Sequence, residues 1–442
     1  MLDLSSATVR DALWSARFGL ERETLRVTDA GRMAHTPHPF PPDHPRIVRD
    51  FCENQAEINT GVSPSAEDAV RELAAIDEAL RAALAARSAP EFLWPSSNPP
   101  PLAGDEDIPI ARFDGPRAGK TRYRERLAAG YGRRRMAFCG VHVNISFAPD
   151  LLAAAASAAG APDARRHADA LYVELAAASA EAAWLLVALT AASPLADPSL
   201  VESGGGGAAA DGGALFTGHA SLRCSELGYW NDFVPVFDYA DAPSWARSVA
   251  RYVDAGLIAA PTELYYPVRP KPRGANRLEA VAGEGIDRIE LRMFDLNPFA
   301  PALVDARDVA FAHLLLVRLA TLPRSPHPAR AQILSVRNAK AAARYDLALA
   351  PVLAADGTAT PVRDAARREL DALGRFLAPL DAPPAIRDAL DFQRAKLERP
   401  GARYAERIRA AFSGGFASRT LALAQGELSM TSSDLRSSSF EL

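Results

Sequence analysis

The chain has 442 residues and a formal net charge of −4, and 48% of its residues are hydrophobic. This length allows one large domain or about three of ordinary size, and the weakly acidic balance excludes a general attraction to nucleic acid or to anionic membranes. The three cysteines are far apart and form no C-x-x-C pair, so we expect neither a disulfide framework nor a zinc ribbon, and a cytoplasmic location fits best.

The first predicted strand, FGLERETLRV at residues 18–27, carries two carboxylates on one face. Because side chains alternate along a strand, Glu21 and Glu23 share a face, whereas Arg22 and Arg26 lie on the opposite one. Two carboxylates about 4 Å apart repel each other by roughly 4 kcal/mol at an effective dielectric of about 20. A buried pair must therefore share protons or hold a cation, and the alternative is an exposed strand edge with alternating charges.

The next segment, DFCENQAEI, places Asp50 and Glu57 seven residues apart. This spacing predicts that both lie on one face of a helix, two turns apart, and a solvated helix face is the alternative reading. A helix is also predicted for residues 65–87, where apolar residues recur at intervals of three and four.

A basic stretch at residues 117–135 is followed by the predicted strand FCGVHVNISF at residues 138–147. The basic stretch is typical of a solvated helix face, with anion binding near Tyr123 and Arg124 as a competing interpretation and nucleic-acid binding as the least favoured one. On the strand, His142 and Asn144 share one face, although a single strand histidine is often structural.

The apolar run AAWLLVALTAAS, which starts at Ala182, is too short to cross a bilayer and predicts a buried helix. The glycine-rich segment that follows, at residues 201–216, has no preceding strand and no following G-K-[ST]. It therefore predicts a surface loop or lid and not a phosphate-binding loop.

Strands are predicted again at ELYYPVRP and at IDRIELRMFDLNPF. In the second of these, Glu290 and Arg292 share a face, which an ordinary ion pair would also explain. The scattered strands favour an α+β fold around a largely antiparallel sheet. We expect one catalytic domain over residues 1–425, with the sheet and site mostly in 15–301, helices from about 303 to 425, and a frayed tail at 426–442.

Several of these segments thus offer oxygen or nitrogen donors from one face. The candidate metal ligands are Glu21, Glu23, Asp50, Glu57, His142 and Glu290. Carboxylate oxygens suit Mg²⁺, and the histidine is also compatible with Mn²⁺. So many carboxylates exceed the need of one ion, and they predict more than one metal ion, bridging the phosphates of a nucleotide.

Eight motifs occur in the order found in one family, between about residue 18 and residue 301. They are GLERETLRV, DFCENQAEI, FLWPSSNPP, YRERLAAGYG, GVHVNISF, HASLRCSELGY, ELYYPVRPK and IELRMFDLNPFAP, with a weaker match, RPGARYAERI, near residue 399. In these motifs the chain resembles the glutamate-cysteine ligases of the proteobacterial type.

The resemblance implies a glutamine-synthetase-like fold, with a curved antiparallel sheet and surrounding helices. It also implies that ATP phosphorylates the γ-carboxylate of glutamate and that the amine of cysteine then attacks the acyl phosphate, which is the first step of glutathione synthesis. The six candidate ligands match the family's metal ligands, and Arg292 matches an arginine near the transferred phosphate. The resemblance further implies an acceptor pocket made of Phe51, Tyr123, Leu127, Arg223, Tyr229 and Tyr265.

The chain departs from the family pattern at Met136, where we expect a glutamine, and at Val143, where we expect an aromatic residue. Both departures leave acceptor specificity open. One alternative is therefore a ligase of the same fold with a different amine acceptor, and others are a non-catalytic module that binds metal and nucleotide or, more remotely, a phosphagen-type kinase. The expected ligands are small molecules, and neither nucleic acid nor a membrane is an expected partner.

Overall fold

The computed structural model is described for residues 1–200, 208–209, 213–323, 325–412 and 414–428. Its strands are β1 (Ala16–Val27), β2 (Ile47–Arg49), β3 (Gln55–Asn59), β4 (Phe92–Leu93), β5 (Val141–Phe147), β6 (Ala208–Ala209), β7 (Leu215–Phe216), β8 (Val268–Lys271), β9 (Arg288–Phe294), β10 (Pro351–Leu353) and β11 (Ala359–Pro361).

The helices are α1 (Ala7–Ala12), α2 (Ala66–Ala85), α3 (Ala118–Tyr131), α4 (Arg133–Met136), α5 (Pro149–Ala158), α6 (Ala164–Thr190), α7 (Ala242–Asp254), α8 (Leu278–Glu284), α9 (Ala306–Thr321), α10 (Ala329–Ala342), α11 (Val362–Leu377), α12 (Pro384–Glu398), α13 (Tyr404–Phe412) and α14 (Phe416–Ala424). Most of the described residues after 303 are helical, as expected. The hairpin of β10 and β11 is an addition that the sequence reading missed.

An antiparallel sheet of seven strands forms the centre of the described structure, in the order β2-β3-β1-β5-β9-β8 with β4 paired to the end of β1. The alternation of side chains gives it two different faces. Val143 on β5 and Ile289 and Leu291 on β9 are fully buried on the face that α6 covers. The opposite face carries the polar residues of the same strands and holds the candidate site.

Helix α6 is the central helix of the core. By length and composition alone it could cross a membrane, but 72% of its most apolar window is buried inside the structure, which is typical of the core helix of a folded domain. This confirms the buried helix predicted from the apolar run at Ala182. Lys396 on α12 donates to the α6 backbone at Leu189 and forms a 2.6 Å ion pair with the buried Asp308 of α9, so the later helices are tied to this core.

The helix expected around Asp50 and Glu57 is wrong. Residues 47–59 instead form β2 and β3, which pair with each other in antiparallel fashion, and β3 also pairs with β1. Asp50 directly follows β2, and Glu57 lies in the middle of β3. A spacing of seven does not distinguish a helix from two short strands, and here pairing with β1 decides the outcome.

Three other expectations concern the limits of segments. In the segment ELYYPVRP, which was predicted as a strand, a short 3₁₀ turn ends at Glu263 and the strand β8 begins only at Val268. The loop or lid predicted in the glycine-rich segment and the frayed tail fall largely outside the described residues, namely at 201–207, 210–212 and 429–442. The division of the chain into one domain and a tail stays a prediction.

Candidate active site

The polar face of the sheet borders a cavity of about 190 Å³. All six candidate metal ligands line this cavity, together with Arg292 and most of the predicted acceptor residues, which are Phe51, Tyr123, Leu127, Tyr229 and Tyr265. Arg223 lies instead in an adjoining cavity, which it shares with Tyr229, Tyr265 and Arg292. The structure therefore brings together residues that are up to about 270 positions apart in the chain, and their roles as ligands stay predictions.

Strand register explains why the donors converge. Glu21 on β1 is paired with His142 on β5, and Glu23, two residues further along β1, is paired with Glu57 on β3. Asn144 on β5 is in turn paired with Glu290 on β9. Because these residues face the same side, four adjacent strands supply donors to the cavity: two from β1 and one each from β3, β5 and β9.

One half of the cluster consists of Glu21, His142 and Glu290, whose donor atoms all lie within 4.8 Å of one another. The Nδ1 atom of His142 is 3.2 Å from Glu21 Oε2. Burial, together with the charge of Arg292, lowers the pKa of His142 to about 4, so the ring is neutral near pH 7. A neutral imidazole beside two carboxylates is a suitable set of ligands for a divalent cation.

The other half consists of Glu23, Asp50 and Glu57. Burial and the charge of Asp50 raise the pKa of Glu23 to about 8, and the same two causes raise the pKa of Glu57 to about 8. Burial also raises the pKa of Asp50. Glu23 and Glu57 therefore hold protons near neutral pH, and a bound cation would replace those protons.

Glu290 is in a different electrostatic situation. It is fully buried, and its two oxygens lie 2.9 Å from Lys271 Nζ and 3.2 Å from Arg292 Nη1. Although burial raises its pKa, the charges of Lys271, Arg292 and Arg269 outweigh burial and hold the pKa well below the ordinary value. Sequence reasoning missed Lys271 and Arg269, even though the strand VRPK places both on one face by simple alternation.

The part of the cavity lined by the predicted acceptor residues is aromatic. The rings of Tyr229 and Tyr265 have centroids 4.2 Å apart, and the hydroxyl of Tyr265 is 3.9 Å from the sulfur of Met136. Arg223 is buried with its guanidinium directly against Gly140, where an added Cβ would lie 2.3 Å from Arg223 Cζ. Only glycine at position 140 therefore leaves room for Arg223 in this position.

A second, larger cleft of about 1030 Å³ shares Glu21 with the first cavity and is also lined by Asn144. Four arginines line it, namely Arg17, Arg165, Arg273 and Arg288. Its apolar wall is formed by residues from β1, β5, α5 and α6, which are Phe18, Leu20, Phe147, Leu152 and Tyr172. The sequence reading did not identify this cleft, since its residues come from distant segments and carry no local motif.

The three cysteines are buried, and burial raises the pKa of each thiol, in the case of Cys224 to about 11. Thiols protonated in this way are poor nucleophiles. Cys52, Cys139 and Cys224 all pack in the hydrophobic core.

The raised pKa values predict how stability depends on pH. The folded protein keeps protons on Glu23 and Glu57 up to about pH 8, whereas the unfolded chain releases them near the ordinary value of 4.5. This contribution to stability is therefore present at low pH and is lost as the pH rises through about 8. In protein freed of divalent cations, we expect the melting temperature to fall by several degrees between about pH 6 and about pH 9.

The double variant Glu23→Gln/Glu57→Gln is the matched control for this titration. It should melt with a clearly weaker dependence on pH, because the two titrating carboxyls are gone. An unchanged slope in the double variant would show that other groups cause the effect.

Comparisons with known proteins show which family the chain resembles. A family model described as Glutamate-cysteine ligase matches residues 1–255 and 234–341. The glutathione biosynthesis bifunctional protein GshAB of Listeria monocytogenes serovar 1/2a is 33% identical over 400 residues, which cover 89% of this chain and 52% of that protein. The GshAB of Listeria innocua serovar 6a is 35% identical over 379 residues, which cover 84% of this chain and 49% of that protein. The chain thus spans about half the length of these curated relatives.

Two solved structures share the fold. The glutamate–cysteine ligase of Francisella tularensis, crystallised in complex with AMP, has a TM-score of 0.81 at 24% identity and covers 93% of this chain and 88% of its own. A bifunctional glutathione synthetase from Pasteurella multocida also has a TM-score of 0.81, at 26% identity, and covers 95% of this chain and 53% of its own. These likenesses confirm the predicted α+β fold.

Proposed function

This chain belongs to the glutamate-cysteine ligase family, and we propose that it joins the γ-carboxylate of glutamate to the amine of cysteine at the expense of ATP, the first step of glutathione synthesis. One observation supports this above all others. The donor atoms of Glu21, His142 and Glu290 lie within 4.8 Å of one another beside Arg292, in a cavity whose far end is aromatic. The site thus combines groups suited to phosphoryl transfer with a pocket for a small amino acid.

The carboxylate cluster fits more than one Mg²⁺ ion, with Mn²⁺ as a substitute. Glu21, His142 and Glu290 form one group of ligands, and Glu23, Asp50 and Glu57 form the other. Bound metal would neutralise phosphate charge and polarise the phosphoryl group being transferred. Arg292 borders the same cavity, and its planar fork of donors suits the phosphoryl oxygens.

We place the nucleotide in the larger cleft, with its phosphates toward Glu21 and Asn144. The cleft has ample room for a nucleoside, its wall at Phe147, Leu152 and Tyr172 is apolar, and its arginines can pair with phosphate oxygens. The terminal phosphate would then reach the metal ligands from one side while glutamate enters from the other. In the first step the γ-carboxylate oxygen attacks that phosphate, and ADP leaves.

In the second step the acceptor amine attacks the acyl carbon, the phosphate leaves with the carboxylate oxygen, and the nitrogen loses a proton to solvent as the amide forms. We assign the carboxylate of cysteine to Arg223 and its side chain to the walls at Tyr229 and Tyr265. Because this chemistry needs no protein nucleophile, the buried thiols take no part in it. Their reduced, unpaired state also fits the proposed location in the cytoplasm.

A different acceptor is a second candidate, and one observation favours it. The thioether of Met136 contacts the Tyr265 hydroxyl, so this wall of the pocket is more apolar than a glutamine would make it. A difference of one methylene group between substrates changes their transition-state binding in an apolar pocket by only about 1–3 kcal/mol, so 2-aminobutyrate should also be accepted.

The test of the proposed function is ADP release from ATP in the presence of Mg²⁺, glutamate and each of a panel of amines, with the product identified by mass. We expect γ-glutamylcysteine to be formed most efficiently and γ-glutamyl-2-aminobutyrate to be formed as well. A phosphorylated product without an amide would indicate a kinase instead, and an absence of turnover with every amine would favour a binding module.

A further inference from the structure

Lys271 forms an ion pair inside the carboxylate cluster. It is the last residue of β8, next to β9 in the sheet, and its side chain is buried at the wall of the cavity. Its Nζ atom lies 2.9 Å from Glu290 Oε1. This places an ammonium group against a carboxylate that also belongs to the group of candidate metal ligands.

The second oxygen of Glu290 already has a cationic partner as well. Arg292 Nη1 lies 3.2 Å from Glu290 Oε2, so each oxygen of this fully buried carboxylate contacts one positive side chain. A divalent cation that takes Glu290 as a ligand must therefore compete with Lys271 or with Arg292.

Lys271 is the partner that can move more easily. Arg292 is held between several groups, since its Nη1 also lies 3.5 Å from His142 Nδ1 and the carboxylate of Glu23 attracts it. Lys271 lies on an outer strand of the sheet, and its ammonium sits on a flexible four-carbon stem, whereas the guanidinium is rigid. Thr262 and Asn276 line the same cavity as Lys271 and offer polar groups there.

We propose that Lys271 is a displaceable counter-cation: it neutralises Glu290 until a divalent cation binds, and its ammonium then turns toward an anionic oxygen of the substrate in the same cavity. The identity of the metal and of the substrate rests on the proposed function. The ion pair keeps Glu290 charged and ready as a ligand without leaving a buried charge uncompensated. It also makes metal binding compete with a cation that the chain itself supplies.

The direct test measures Mn²⁺ binding to the full chain without substrates, by electron paramagnetic resonance of the free ion. Lys271→Met should bind Mn²⁺ at least about tenfold more tightly than the parent, because the competing cation is gone. Lys271→Arg, which keeps a cation at Glu290, should bind no more tightly than the parent. Lys120→Met is the charge control, since Lys120 lies in the field of Asp50 and Glu57 and its loss alters net charge equally.

Three outcomes would overturn the displacement: an unchanged or lower Mn²⁺ affinity of Lys271→Met, tighter Mn²⁺ binding by Lys271→Arg, or an equal gain of Mn²⁺ affinity in Lys120→Met.

Reductive methylation of the parent protein, measured by mass spectrometry, tests the displacement of Lys271 without any variant. Mn²⁺ should speed the labelling of Lys271, and slower or unchanged labelling would contradict its release.

Steady-state kinetics of Lys271→Met identify the anion. A rise of tenfold or more in the KM for ATP alone would assign the phosphate, and the same rise for glutamate alone would assign its carboxylate. No rise for either substrate would contradict the second half of the proposal. If Mn²⁺ binding behaves as expected but the protein has no ligase activity, only the proposed function is refuted. If the protein is a ligase but Lys271→Met binds Mn²⁺ no more tightly than the parent, only this inference is refuted.

Discussion

Glu23→Gln should lower ligase turnover by about a thousandfold or more and leave the protein folded. The substitution removes one carboxylate of the cluster, and cluster ligands of this kind supply several kcal/mol of transition-state stabilisation. The free energy of unfolding should not fall, because burial and the charge of Asp50 raise the pKa of Glu23 to about 8. The Glu23 side chain is therefore already uncharged near neutral pH, as a glutamine would be. Turnover and thermal melting on the same preparation test both parts.

Glu290→Gln should lose activity to the same extent but should also lose stability. Sequence reasoning alone expects both variants to stay folded, since each relieves repulsion among carboxylates. The structure separates them, because Glu290 compensates the buried Lys271 and Arg292. Removing one partner of a buried pair costs about 3–5 kcal/mol.

Glu91→Gln is the control for this loss of stability. Glu91 forms a buried ion pair with Arg26 outside the cavity, so its loss should lower the melting temperature while the folded fraction keeps its turnover. Near-normal turnover of Glu23→Gln or Glu290→Gln at ordinary Mg²⁺ would show that the substituted residue is not part of the metal site.

Arg223→Ala should lower kcat/KM for cysteine by about a hundredfold to a thousandfold, with the KM values for ATP and glutamate changed much less. In the proposed complex, only the acceptor carboxylate loses a charged partner. Truncating one member of a buried charge pair typically costs about 2–5 kcal/mol. Steady-state kinetics for cysteine, 2-aminobutyrate and cysteamine in parent and variant provide the measurement.

Cysteamine is the internal control, because it lacks a carboxylate. It should be a poor substrate of the parent, and its kcat/KM should change little in Arg223→Ala. Arg223→Lys should restore part of the activity with cysteine and, by keeping a charge near Asp295, should preserve the fold. If cysteamine is the best substrate, or if all substrates weaken equally in Arg223→Ala, the assignment of Arg223 to the acceptor fails.

The parts of the site that sequence predicts well are those encoded by local alternation. Glu21 with Glu23, His142 with Asn144, and Glu290 with Arg292 each share a face because a strand has a period of two, and this required no knowledge of the rest of the fold. The same period of two also places Lys271 on one face of its strand, but the sequence prediction did not include this residue.

Features that depend on pairing or closure over long distances were not predictable in this way. The helix expected at Asp50 and Glu57 is two strands because β3 pairs with β1, a contact that spacing within the segment does not encode. The larger cleft is formed by strand residues, α5, α6 and the segment around Arg273. Such a surface exists only once the chain has folded.

In the proposed reaction, ATP activates the γ-carboxylate of glutamate as an acyl phosphate. The most direct test uses glutamate labelled with ¹⁸O in that carboxylate, together with ATP, Mg²⁺ and cysteine, and measures the mass of the released phosphate. We expect one ¹⁸O atom in the phosphate for each amide bond formed, because the carboxylate oxygen leaves with the phosphoryl group. Amide formation with unlabelled phosphate would contradict it.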